Sequence, residues 1–207
     1  MKIVIVNFGQ GGNSAAIKNM LSRIGYESRL STHKQDISDA DKIILPGVGA
    51  FDTAINGLRD NNLWDEVLTF VSIRKKPVLG ICLGFQILCN GSEEGNEQGF
   101  SFLNAYFHKF PKQMENKQIL KTPHLGWNEI TNISQETRLY KGIENPRFYF
   151  VHSYYCLPQK DYISAYTNYG ISFCCSLEHD NIAGVQFHPE KSHKYGMKLL
   201  KNFIELF

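Results

Sequence analysis

Short runs dominated by apolar residues recur along the first half of the chain, and glycine or proline turns cut them off before helical patterns begin. Residues 2–6, 42–45 and 77–81 carry the clearest runs, and residues 26–30 a more polar one. A run of this kind offers water no polar face, so it fits a strand covered on both sides. Helical spacing follows over residues 14–24 and 83–90, and Leu58, Leu63, Trp64, Val67, Leu68 and Val71 mark one or two further helices. Asn13 or Ser14 is placed to cap the first helix, and Gly25 stops it. Strands that alternate with helices run parallel to one another, because the crossover helix brings the chain back to its starting edge. The expected fold is α/β, with a mainly parallel, doubly wound central sheet and helices on both faces.

The second half reads differently. Residues 126–133, 147–157, 162–167, 171–177 and 182–187 have strand character with little between them, so they form hairpins or extend the sheet. Residues 193–207 close the chain with helical spacing at Tyr195, Leu199, Leu200 and Phe203. Residues 92–99 and 110–121 are polar and read as loops. There is no internal repeat or low-complexity tract, and 207 residues suffice for one domain spanning 1–207.

Composition narrows the partners. The net charge is +2 with histidines neutral, which argues against nucleic acid and anionic membranes. The apolar start is too short for a signal peptide, and nothing approaches the roughly 20 apolar residues that span a bilayer. A cytoplasmic protein is expected. The five cysteines are odd in number and lack zinc-finger spacing, so they read as free thiols in a reducing compartment, and no metal or cofactor is expected.

Cys82 stands apart from the other four. Gly80-Ile81-Cys82-Leu83-Gly84 has the form G-x-C-x-G between a strand and a helix, the arrangement of a nucleophile elbow. Its sharp turn needs small neighbours, which Gly80 and Gly84 supply. The sulfur then sits at a helix start, where thiolate is favoured and backbone amides face a developing oxyanion. A catalytic thiol also needs a base, and the base needs an acceptor to orient it. His188-Pro189-Glu190 supplies both, with His152 and His179 as second choices for the base. A zinc deaminase also uses H-x-E, but its P-C-x-x-C partner is missing. Gly9-Gln10-Gly11-Gly12 invites a nucleotide-binding reading, yet neither the G-x-G-x-x-G spacing nor an acidic end to the second strand is present.

The cysteine elbow and the late His-Pro-Glu resemble the class I (triad) glutamine amidotransferases. LPGVGAF at 45–51, GICLGFQIL at 80–88, SEEG at 92–95, PHLGWN at 123–128, FYFVHSYY at 148–155 and GVQFHPEKS at 184–192 are similar to the glutaminase subunit of imidazole glycerol phosphate synthase. The resemblance implies a flavodoxin-like three-layer fold. It implies Cys82 as nucleophile on L-glutamine, His188 as general base and acid, and Glu190 as its orienter. It places an oxyanion hole at Val48, Gly49 and Leu83, and substrate contacts at Gly49, Gln86, Ser153 and Tyr154. It puts Asn13 and Lys191 at the interface with a (β/α)₈ cyclase/synthase subunit, forming a heterodimer in which ammonia is channelled into histidine biosynthesis. Where that family often has Asp-Tyr after its first strand, this chain has Asn7-Phe8. Three alternatives stay open: a paralogous subunit feeding a surface-sugar amidotransferase, a cysteine hydrolase or peptidase of the same fold, and a non-catalytic binding module.

Overall fold

The structure, a computed structural model, describes residues 1–9, 13–114, 117, 119–158 and 162–207. The glycine-rich loop after the first strand and the polar stretch over 110–121 thus lie partly outside the described residues, at 10–12, 115, 116 and 118.

The chain runs β1 (Ile3–Val6), α1 (Ser14–Arg23), β2 (Ser28–Ser31), α2 (Lys34–Asp39), β3 (Lys42–Leu45), α3 (Phe51–Asp60) and α4 (Trp64–Leu68). A π-helical turn, Thr69–Ile73, extends α4. Then come β4 (Val78–Ile81), α5 (Leu83–Leu88), β5 (Gly91–Ser92), β6 (Ala105–Lys109), β7 (His124–Glu129), β8 (Arg147–His152) and β9 (Tyr154–Pro158). The last elements are β10 (Ile163–Tyr169), β11 (Ile171–His179), β12 (Ile182–Val185), a 3₁₀ turn (Pro189–Lys191) and α6 (His193–Leu206).

The central sheet has the order β2-β1-β3-β4-β12-β11-β9-β6-β5, with β10 paired to β11. From β2 to β12 the pairs are parallel. From β12 to β6 they are antiparallel. β7 and β8 form a separate antiparallel pair. Alternation along the parallel strands feeds two cores. Val4, Val6, Ile43 and Leu45 face α2, α3, α4 and α5 through Ile37, Ile55, Val67 and Phe85. Ile3, Ile5, Ile44, Leu79 and Ile81 face α1 and α6 through Ile17, Leu21, Leu199 and Phe203. Each such fully buried side chain is worth about 1.5–3 kcal/mol of transfer free energy, which is why the two-sided strands stay in register.

The expected α/β architecture is observed, with differences in its second half. Residues 147–157, expected as one strand, break at Ser153 into β8 and β9, which lie in different sheets. The short α2 carries a single buried residue, Ile37, too little to show as a helical period. Ser92, expected in a loop, pairs with Phe107 as part of β5. Asn13 occupies the N-cap position of α1 but makes no side-chain capping bond. Its left-handed backbone, φ 66°, departs from the extended geometry in which a cap oxygen reaches the first-turn amides.

The strand that does most to position the site is β12. It inserts beside β4 with Gly184 opposite Gly80 and Val185 opposite Ile81. Two segments remote in sequence therefore leave the sheet side by side at the same edge. Gly184 makes this fit possible, since a Cβ there would lie 2.0 Å from the ring of Phe85 on α5.

Candidate active site

Cys82 sits between β4 and α5 with φ 54° and ψ −107°, a conformation L-residues rarely adopt. The surrounding backbone over-determines it. The Cys82 N–H donates to Val185 O at 2.8 Å, and its carbonyl accepts from Gln86 N at 3.1 Å. Both flanking glycines are sterically required. A Cβ on Gly84 would fall 1.7 Å from Leu45 O, and one on Gly80 would fall 2.6 Å from Gly84 O. The thiol is buried, and the amide of Gln186 on the neighbouring strand exit points its Nε2 at Sγ from 3.5 Å.

His188 follows β12 and is held by a compact turn. Its N–H donates to Tyr149 O on β8, and its carbonyl accepts from Ser192 Oγ at 2.6 Å. Gly196 lets α6 close on this turn, since a Cβ there would meet Pro189 O at 1.8 Å. His188 Nδ1 lies 2.7 Å from Glu190 Oε1, and neither side chain is exposed by more than 1%. An anionic carboxylate accepts only, so the proton of that bond belongs to Nδ1. His188 Nε2 is buried with no hydrogen-bond partner among the described residues. Burial by itself would lower the His188 pKa. The negative charge of Cys82, with the charge and hydrogen bond of Glu190, outweighs it and raises it to about 10. That balance places the ring beside the sulfur, and it favours the imidazolium form of His188.

A cavity of about 290 Å³ is lined by Cys82, Leu83, Gln86, Glu94, Val48 and Gly49. Pro123, Val151, His152, Ser153 and Tyr154 complete its lining. Cys82, all three residues expected at the oxyanion hole and all four expected at the substrate thus meet in one pocket. Gly49 has φ 111°, so the Val48–Gly49 peptide has a freedom other residues lack. Asn13 and Lys191 do not line this pocket. α1 packs on the Pro189–Lys191 turn, and Lys191 is exposed with its ammonium 5.7 Å from the Tyr149 ring centroid.

The second-choice bases are placed otherwise. His179 is 41% exposed and lies 3.6 Å from Asp180, with its ring against Tyr162. His152 touches the pocket, but both ring nitrogens are engaged, Nδ1 with Tyr154 O at 2.7 Å and Nε2 with His124 Nδ1 at 2.9 Å. Two polar neighbours of the sulfur and its cavity lie within the SEEG and GVQFHPEKS stretches, where the sequence assigns them no role. Glu94 is a carboxylate in the cavity, and burial and the charge of Asp52 raise its pKa against the Phe51 N–H bond that lowers it. Gln186 is a polar residue in an otherwise apolar strand exit, which is the signal that marks it. The other cysteines are buried, and burial pushes the thiols of Cys89, Cys156 and Cys175 well up. Among the described residues no cluster of three or more His, Cys, Asp or Glu side chains is placed to hold a metal ion. No helix among them is long and apolar enough to cross a membrane.

The profile of the glutamine amidotransferase class-I family matches residues 4–206. A Pseudomonas aeruginosa protein named imidazole glycerol phosphate synthase subunit HisH 2 is 46% identical over 206 residues, covering 99% of each chain. A Methanococcus maripaludis protein of the same name is 46% identical over 98% of each chain. A Leptospira interrogans protein named imidazole glycerol phosphate synthase subunit HisH is 41% identical, over 99% of this chain and all of its own length. Among solved structures, one described as a glutamine amidotransferase superposes with TM-score 0.76 at 19% identity, covering 98% and 97% of the two chains. Another, described as a glutamine amidotransferase from Thermotoga maritima, gives a TM-score of 0.63 at 15% identity, over 99% of this chain and 81% of its own.

Proposed function

The chain belongs to the class-I glutamine amidotransferase family, and we propose that it forms one glutaminase domain over residues 1–207, supplying ammonia as part of imidazole glycerol phosphate synthase. The observation that carries the chemistry is the buried His188–Glu190 pair beside a strained Cys82 that lines a cavity. Full-length relatives named for that synthase support the pathway.

In the proposed reaction the Cys82 thiolate attacks the side-chain carbonyl carbon of L-glutamine. Electrons move onto the carbonyl oxygen, which faces backbone amides of the Val48–Gly49 and Leu83 segments. As the tetrahedral adduct collapses, His188 gives its Nε2 proton to the departing nitrogen, and ammonia leaves a glutamyl thioester. Neutral His188 then takes a proton from water, whose oxygen attacks the thioester. Glutamate leaves and the thiolate–imidazolium pair is restored. Glu190 holds the Nδ1 tautomer throughout, so the proton always travels through Nε2. Glu94, the carboxylate in the cavity, suits the α-ammonium of glutamine, while Gln86 and the Ser153–Tyr154 backbone bound the rest of the substrate.

Ammonia then passes to a (β/α)₈ cyclase/synthase subunit, which uses it to make imidazole glycerol phosphate and an aminoimidazole carboxamide ribotide. Asn13 and Lys191 are proposed to face that subunit. One oxyanion donor is worth about 2.7–4 kcal/mol in such a transition state, so a misoriented Val48–Gly49 peptide is enough to silence the free glutaminase. Docking reorients that peptide. Turnover of amide-labelled glutamine by the free glutaminase and by the complex tests this, with a rise of about 10²–10³-fold expected on docking. Equal rates in the two would remove the partner switch. Capture of the natural partner followed by its identification tests the destination of ammonia, and a sugar amidotransferase in that role would overturn the histidine-pathway assignment.

A further inference from the structure

His152 lines the pocket and His124 is hydrogen-bonded to it; both are almost fully buried and take no part in the proposed chemistry. Their hydrogen bonds fix every proton between them. Asn128 Nδ2 donates to Asn168 O at 2.7 Å, and Asn128 Oδ1 accepts the Glu129 N–H at 2.8 Å, so the orientation of this amide is settled by two independent partners. The amide nitrogen therefore faces His124 Nε2, 3.1 Å away, and that nitrogen must accept. His124 then carries its proton on Nδ1 and donates it to His152 Nε2 at 2.9 Å. His152 in turn carries its proton on Nδ1 and donates it to Tyr154 O at 2.7 Å. A carbonyl only accepts, so the far end of the chain demands the same assignment that the near end imposes. The result is a one-way relay, Asn128 to His124 to His152 to the backbone of Tyr154. It operates with both rings neutral, and burial holds their pKa values down to about 4 and about 3.

The relay ends where the chain changes sheets. β8 pairs with β7, whereas β9 pairs with β6, and Ser153 is the hinge between them. Ser153 and Tyr154 at this hinge line the cavity together with Gln86 and Glu94. We propose that His124 and Asn128 are positioning residues for glutamine, acting through His152 to hold the Ser153–Tyr154 backbone in its substrate-binding geometry. This rests on the glutaminase reading above.

Two replacements of His124 separate the relay from mere packing. The ring is stacked between Phe150 and Tyr169, with centroids at 4.6 and 4.1 Å. His124→Phe keeps the stack and deletes the N–H. His124→Asn deletes the stack and keeps a donor near the position of Nδ1. In the complex with its partner subunit, His124→Phe is expected to raise KM for glutamine about tenfold with little change in kcat, and His124→Asn to stay near the wild type. Wild-type KM in the Phe variant, or a larger defect in the Asn variant than in the Phe variant, would overturn the proposal. A second readout needs no variant and no turnover. In ¹⁵N-histidine-labelled protein at neutral pH, two imidazoles should be neutral with the proton on Nδ1, and a proton on Nε2 of either ring would overturn the relay. A wild-type complex that shows these resonances and yet fails to hydrolyse glutamine would defeat the glutaminase reading and leave the relay standing.

Discussion

Two buried histidine sites near one cavity differ in charge, one cationic and the other neutral. His188 is shielded from water and is held cationic, with its pKa raised to about 10. His124 and His152 are also shielded and are held neutral, at about 4 and about 3. Burial penalises the charged ring in all three. What differs is the company. His188 has the Glu190 carboxylate at 2.7 Å and the Cys82 sulfur beside it, and both offset the desolvation of the imidazolium. His124 and His152 face each other, a carboxamide and a carbonyl, none of which can neutralise a proton. Solvent exposure alone does not tell a proton-transfer histidine from a scaffolding one. The charge of the neighbours does.

Removing the sulfur should disturb this contrast most severely. In the proposed reaction Cys82→Ala abolishes thioester formation, and glutaminase turnover falls by at least about 10⁴-fold while partner binding persists. The same change removes the larger of the two charges that sustain the imidazolium, so the His188 pKa should drop well below its present value. Steady-state assays and the ¹⁵N chemical shifts of His188 check the two halves together. Normal turnover in this variant would dispose of the nucleophile assignment.

Glu190→Gln should act next in size. The amide preserves the shape of the turn but presents no full charge, and its NH₂ group can face Nδ1 and stabilise the wrong tautomer. A fall in kcat of about 10³-fold is expected, with KM for glutamine little altered. His188 would then titrate closer to its ordinary range, as it must if its partners set its charge. An unchanged titration would assign that charge to Cys82 alone.

The first of these sites was legible in the sequence and the second was not. Cys82 announces itself because the turn that strains it needs Gly80 and Gly84 at fixed offsets, and His188 because its orienter lies two positions away. Local chemistry demands local spacing, so the motif survives in one dimension. The parallel half of the fold was readable for a similar reason, since the apolar runs of β1, β3 and β4 are each followed by a covering helix. The return of β12 to the side of β4 has no such signature, and it is what brings His188 to Cys82. The relay is less visible still. His124 and Asn128 come from one strand and His152 from another, and their meaning depends on the break at Ser153, where the sequence shows only a continuous strand pattern. Glu94 is held at the pocket by the Phe51 N–H that donates to it, a long-range tie across loop and helix that residue spacing does not encode.

Acid stability offers a gentler way to tell the two sites apart. His124 and His152 have folded pKa values below the ordinary 6.5, so the unfolded chain binds protons that the folded chain refuses. Their contribution is fully present above that value and is lost as pH falls toward 4 and 3. His188 has the opposite sign. Its folded pKa is raised, so its contribution is present below 6.5 and disappears as pH climbs through about 10. Between pH 6.5 and 5, before most carboxylates titrate, the neutral pair should make unfolding free energy fall with acid at a slope approaching about 1.4 kcal/mol per pH unit for each histidine. His124→Phe deletes one of these proton-binding sites from the unfolded chain. Urea unfolding across that window should therefore show a shallower slope in the variant, by up to about one proton. Identical slopes would mean that His124 already exchanges protons freely in the native state, and the distinction between the two histidine environments would not hold.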